Sequence, residues 1–211
     1  AYANAPKDSA IGALRARHGH PEPFNLRFIE IGSGNYGSEY VKRYALFKNA
    51  IHKTYPRITV IGNTITDSRN RVDWVDSHYY ADESFFISNQ SRFDEFLYKR
   101  RQPPMFVGEF GTAREESRGT LQAALAEACF LFGLERNPDA VKRIAYAPLL
   151  ANVQVDKRKK GLILFNNKQA VPTPSYFVLK PVGERRVAPS SNIRLVSLET
   201  PQVTVVAAAT R

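Results

Sequence analysis

Across the first two thirds of the chain, short β-branched and aromatic runs alternate with longer segments of helical period, and this alternation constrains the fold more than any other feature. Leu26 to Ile31 predicts a strand. Ser38 to Tyr55 predicts a helix with Tyr40, Tyr44, Phe47 and Ile51 on one face, stopped by Pro56. Ile58 to Ile61 predicts a second strand ending at Gly62-Asn63, and Val72 to Ser77 a third that runs into His78-Tyr79-Tyr80. A helix is expected from Gln90 to Arg100 and a strand from Met105 to Phe110. An Ala-rich helix follows from Leu121 to Phe132, with Leu121, Leu125, Ala128 and Phe132 expected on its buried side, and then a strand from Ile144 to Ala147. Such alternation implies parallel strands covered by helices, an α/β arrangement. About five strands are too few to close an eight-stranded barrel, which takes some 250 residues. After Val153 the pattern changes: Leu162 to Phe165, Ile193 to Leu198 and Val203 to Ala207 read as β-strands between turns that hold Pro, Gly and Asn.

Composition narrows the function classes. At 211 residues and 43% hydrophobic content the chain has ample material for a packed core and is not a disordered sequence. Its 30 Lys+Arg against 20 Asp+Glu give a formal charge of +10, which favours contact with a polyanion such as RNA or with an acidic protein surface. The single cysteine, Cys129, excludes an intrachain disulfide and a multi-cysteine metal site, and its apolar helical setting predicts a buried structural thiol. No apolar stretch reaches the length of about 18 residues that a membrane span needs. No metal site is expected, because no His, Cys, Asp and Glu cluster has ligand spacing, and no cofactor is expected. Gly32 to Gly37 lacks the full phosphate-loop fingerprint and its lysine. Ala1-Tyr2-Ala3-Asn4 has neither the basic flank nor the apolar run of a signal peptide, so a processed or partly represented N-terminus is expected.

Several ordered motifs carry a resemblance to a known family. Gly19-His20-Pro21-Glu22-Pro23-Phe24-Asn25-Leu26 with Ile29-Glu30-Ile31-Gly32, then Asp76-Ser77-His78-Tyr79-Tyr80, then Phe106-Val107-Gly108-Glu109-Phe110, follow one another in the order of barrel strands four, six and seven of a family-51-type α-L-arabinofuranosidase. Gly119-Thr120-Leu121, Ala126-Glu127-Ala128 and Gly133-Leu134-Glu135-Arg136-Asn137 are similar to the helix beyond strand seven, Tyr146 to Val153 to the strand-eight region, and Pro174-Ser175-Tyr176-Phe177 to the exit into the family's β-sandwich. The resemblance implies a partial (β/α) TIM-barrel-like half, strands four to eight, over residues 1–155, with a remnant of the β-sandwich as a small C-terminal β appendage over 156–211. It also implies a retaining glycoside hydrolase site in which Glu109 stands at the nucleophile position and Gly34 at the acid/base position. Ser33, Asn35, His78 and Tyr80 correspond to ancestral sugar-binding positions.

Gly34 is the departure with the largest chemical consequence. Retaining hydrolysis uses two carboxyl groups flanking the scissile bond, and a glycine has no side chain to move a proton. Ser33 stands where the family has a sugar-gripping Asn, and the loop after strand eight reads Val155-Asp156-Lys157-Arg158-Lys159-Lys160 where the family carries an aromatic. Glu30, the nearest other carboxylate on that strand, precedes its end and is not expected to take over the acid's role. Lys99-Arg100-Arg101 and Lys157-Arg158-Lys159-Lys160 are the candidate polyanion contacts, and with no aromatic-interleaved motif such contacts would fall on phosphates with little sequence preference. The reading from sequence is therefore a glycosidase-derived pseudoenzyme serving as a structural or interaction subunit of a larger assembly, with an organellar, mitochondrial ribonucleoprotein as the setting. Other polypeptide chains would complete or cover the half-barrel, and RNA would bind through phosphates. The alternative is a split or truncated α-L-arabinofuranosidase, extracellular or periplasmic, hydrolysing terminal arabinofuranosides.

Overall fold

Helix signals near the N-terminus begin with Ser9, whose Oγ accepts the Gly12 N–H at 3.1 Å and so caps helix α1 (Ala10–Arg17). The computed structural model of the chain describes residues 1–64, 71–95, 102–156, 161–184, 194–200 and 203–209. These fall into two units, Ala1–Asp76 and Ser77–Arg211.

In the first unit, strand β1 (Phe28–Ile31) runs parallel to β2 (Thr59–Gly62), with Phe28 opposite Thr59 and Ile31 opposite Gly62. β2 in turn pairs in parallel with the opening of β3 (Trp74–Ala81), Ile61 opposite Trp74. Helix α2 (Gly37–Thr54) makes the crossover between β1 and β2, as parallel pairing requires. Its buried tyrosines do more than fill space. Tyr44 Oη donates to the Val60 carbonyl at 2.8 Å, and Tyr40 Oη donates to the Ile31 carbonyl at 2.7 Å while accepting the Asn63 N–H at 2.8 Å. Burial pushes both phenols above their usual range, so they stay protonated hydrogen-bond donors. The rest of the expected apolar face is looser: Phe47 is exposed and Ile51 half-buried, both on an open groove with Leu26, Ile29 and Ile58.

At Gly62 helix α2 and strand β2 approach closely. A Cβ there would stand 2.7 Å from Val72 Cγ1 and 2.8 Å from Tyr44 Cε2. Gly62→Ala is expected to destabilise the protein by about 1–3 kcal/mol through overpacking, read as a lowered denaturant midpoint. An unchanged midpoint would mean that Tyr44 moves aside freely, contrary to its buried hydrogen bond.

In the second unit β3 continues to Ala81, and the strand order proceeds through β4 (Met105–Thr112) to β5 (Val141–Ile144), which pairs in parallel with β4. Helix α3 (Glu83–Ser88) is capped by Asp82, whose Oδ1 accepts the Phe85 N–H at 2.9 Å; that bond holds the Asp82 carboxyl below its usual range. The helix expected from Gln90 to Arg100 is thus displaced. The ordered helix precedes it, residues 89–95 turn, and 96–101 lie outside the described residues. Asp82 supplies a capping signal that a purely hydrophobic reading overlooks.

Helix α4 (Leu121–Glu135) has Thr120 as its cap, Oγ1 accepting the Ala123 N–H at 3.2 Å. Leu121 and Leu125 are exposed, not buried as periodicity suggests. Both α3 and α5 (Pro174–Glu184) pack on α4, which shifts its buried surface to Ala123, Ala124, Phe130, Leu131 and Leu134. Phe130 lies at the centre of an aromatic cluster, 5.4 Å from Phe86 and 5.2 Å from Tyr79 between ring centroids. Cys129 is half-buried, short of the full burial expected, and its thiol is pushed up by desolvation.

Three short strands follow: β6 (Leu150–Asn152) parallel to β7 (Ile163–Phe165), and β8 (Ala170–Pro172) antiparallel to β7. Pro174 to Phe177, which sequence reads as an exit into β structure, opens α5, because Pro at the first turn of a helix needs no N–H partner. The strand expected at Ile144 to Ala147 lies three residues earlier, and the third strand extends to Ala81. A hairpin of β9 (Arg194–Thr200) and β10 (Val203–Ala209) ends the described chain.

Candidate active site

Strand alternation sets the site in the second unit. Along β3, Tyr79 points to the aromatic cluster while His78 and Tyr80 point to the other face, as period two demands. Glu109 on β4 meets that same face. Tyr80 Oη donates to Glu109 Oε2 at 2.7 Å, and His78 Nδ1 lies 3.4 Å from the same oxygen. The Glu109 side chain is 36% exposed and His78 is 21% exposed, so the carboxylate is held from one side and open to a ligand on another. A phenol donating at this distance fixes the carboxylate's rotation.

Three residues beyond Glu109, at Thr112, β4 is fixed by a buried network that sequence reasoning missed. Glu127 on α4 is 1% exposed. Its Oε1 accepts the Thr112 N–H at 2.7 Å and the Tyr146 hydroxyl at 3.2 Å, and its Oε2 accepts the Ser175 hydroxyl at 2.6 Å. One carboxylate thus ties α4 to the end of β4, to the segment after β5 and to α5. Burial, with the Glu127 charge beside it, pushes the Tyr146 phenol well above its usual range. The sequence signal was present: a lone acid inside the apolar run Ala123 to Phe132 needs buried partners.

In the first unit, the turn after β1 holds Ser33, Gly34 and Asn35. The Ser33 N–H donates to Asn35 Oδ1 at 2.9 Å, the Asn35 N–H to Asn63 Oδ1 at 3.3 Å, and Asn63 Nδ2 to Glu30 Oε1 at 2.8 Å. Asn63 is 5% exposed and anchors the turn to the end of β2. Gly34 has φ +63°, a left-handed conformation, and no heavy atom lies within 4 Å of where its Cβ would be. Space does not demand a glycine there; backbone conformation favours one. Lys99, Arg100, Arg101, Lys157, Arg158, Lys159 and Lys160 lie outside the described residues.

A parallel sheet interleaved with helices, bearing a carboxylate toward the end of a strand, defines the class as an α/β fold. The comparisons with known proteins give the family. Residues 1–98 match the α-L-arabinofuranosidase 1 domain, and residues 94–195 match the α-L-arabinofuranosidase C-terminal domain. The chain is 38% identical over 207 residues to an extracellular exo-α-L-arabinofuranosidase of Streptomyces chartreusis, and 36% identical over 201 residues to α-L-arabinofuranosidase 1 of Arabidopsis thaliana. These alignments cover 90% and 93% of this chain but only 24% and 29% of the relatives. Among solved structures, an arabinose-bound family-51 α-L-arabinofuranosidase superposes with a TM-score of 0.73 at 31% identity, covering 85% of this chain and 31% of that one. An arabinose complex of the Thermotoga maritima α-L-arabinofuranosidase shares the fold, with a TM-score of 0.68 at 18% identity, covering 93% of this chain and 49% of that one.

The chain belongs to the α-L-arabinofuranosidase family, and it spans about a quarter of the length of the curated relatives it matches. Neither these relatives nor these structures support the ribonucleoprotein setting or the mitochondrial compartment expected from charge.

Proposed function

We propose that this chain carries the nucleophile half of a retaining glycosidase site for terminal α-L-arabinofuranosides. Glu109 is the attacking carboxylate, Tyr80 and His78 orient it, and position 34 supplies no acid. The 2.7 Å hydrogen bond from Tyr80 to Glu109 Oε2 carries the reading, because it leaves Oε1 as the atom directed at the anomeric carbon. Attack by Oε1 forms a glycosyl ester as the leaving group departs with its electron pair, and water then cleaves the ester. In the usual pair of carboxyls the second protonates the departing oxygen and later activates the water. With Gly34 at that position, both proton transfers fall to solvent. The site is proposed to act outside the cell, where the Streptomyces relative is placed by its name.

Leaving-group chemistry tests this. The native protein is expected to hydrolyse an aryl arabinofuranoside, whose phenolate departs unprotonated, about 10²–10⁴-fold faster than an alkyl one, the range that a general acid ordinarily contributes. Azide, a nucleophile that needs no general base, is expected to accelerate turnover and to give the arabinosyl azide. Equal rates on the two substrates with no azide effect would show that another group supplies the proton. A second reading, a non-catalytic interaction subunit descended from a glycosidase, is favoured by Gly34; absence of turnover on both substrates, with and without azide, would select it.

A further inference from the structure

Beneath the end of β4 a small, partly open polar cavity is lined by Thr112, Arg118, Glu127 and Tyr146, and by Gly111 and Gly161 among its other neighbours. The space open to the centre of a water molecule is about 10 Å³. That is roughly the volume one water needs and too little for two. Two independent observations indicate the occupant. Thr112 is 5% exposed, and its Oγ1 is buried with no hydrogen-bond partner among the described residues, although its own backbone N–H is satisfied by Glu127. An orphaned hydroxyl of this kind is disfavoured unless something small and polar meets it. The lining residues also carry both polarities: Glu127 and Tyr146 bear acceptor oxygens, and Arg118 and Thr112 bear donors.

Charge excludes the other small ligands. A cation would face the Arg118 guanidinium, and an anion would face the Glu127 carboxylate, which is 1% exposed. We infer that this cavity is a binding site for one internal water, held by the Thr112 hydroxyl and the polar lining around Glu127. Gly111 is part of the design, since a Cβ there would stand 3.3 Å from Tyr146 Oη and from the Ala147 carbonyl oxygen. The water joins β4 to α4 and to the segment after β5, three residues from Glu109. It is independent of whether Glu109 attacks a sugar.

The test compares the full chain with Thr112→Val, which keeps the β-branched shape and removes the hydroxyl, and Thr112→Ser, which keeps the hydroxyl. Oxygen-17 magnetic relaxation dispersion counts water molecules held for longer than the protein tumbles. Thr112→Val is expected to lose one such water and to melt about 2–4 °C lower, the shift of one hydrogen bond's order in a chain of this size. Thr112→Ser is expected to keep the water. An unchanged dispersion amplitude in Thr112→Val overturns the inference, whatever its melting temperature. So does a melting temperature that rises on removing the hydroxyl, as a dry cavity would give, or a stabilisation by sodium or potassium chloride over choline chloride that Thr112→Val abolishes.

Discussion

Glu109→Gln is expected to lower hydrolysis of 4-nitrophenyl α-L-arabinofuranoside by on the order of 10³-fold or more, to the level of the uncatalysed reaction, with the fold intact. The amide is isosteric and its oxygen still accepts the Tyr80 hydroxyl, so little changes in packing. What is lost is the negative charge that forms the glycosyl ester. Because Gly34 contributes no acid, the residual activity has no second side chain on which to fall back, and the variant should be close to inert. Circular dichroism and the unfolding midpoint serve as the control. A variant that keeps more than about a tenth of native turnover, well above that expected loss, would remove Glu109 from the reaction and with it the proposed mechanism. A native protein that is inert on the aryl substrate would instead leave the non-catalytic reading standing.

Arg15→Met is expected to destabilise the first unit by about 3–5 kcal/mol. Arg15 is 0% exposed, and among the described residues its side chain is held by backbone carbonyls and by no carboxylate. Its Nη1 donates to the carbonyls of Tyr2 at 2.8 Å and Ala5 at 2.7 Å, its Nε to that of His20 at 3.0 Å, and its Nη2 to that of Pro21 at 3.0 Å. One planar guanidinium thereby closes the N-terminal segment onto α1 and the loop before β1. Methionine fills much of the volume but leaves four carbonyls without that donor, each costing about 1 kcal/mol or more. Arg15→Lys should fall between, since an ammonium keeps the charge but cannot span the fork. Hydrogen exchange of the amides in residues 1–25, against the global denaturant midpoint, separates local opening from global unfolding. A loss below about 1 kcal/mol would show that water reaches the freed carbonyls and that the segment is held by other contacts.

The sequence by itself determined the α/β class, the positions of β1, β2, β4, α2 and α4 to within a few residues, and the family. Those features are local: period-two and helical patterns, glycine turns and ordered motifs persist in the sequence whatever surrounds them. It also placed Glu109 on a strand and His78 and Tyr80 just past the end of another, but their meeting at one oxygen depends on the pairing of neighbouring strands, which only the folded chain displays. The errors have the same origin. Leu121 and Leu125 match a buried stripe by spacing, yet α3 and α5 cover α4 from other directions. Pro174 to Phe177 resembles the family's exit into its β-sandwich, and what the motif does not show is that Ser175 is drawn to a carboxylate 48 positions away and that the segment is helical. Arg15 looks like a solvent-facing charge in its helix, and Glu127 stands alone in an apolar run that does not say which groups it meets. Tertiary structure decided that each is buried, because a charge leaves water only where donors or acceptors from distant segments converge on it, and that convergence is written in no local stretch of sequence.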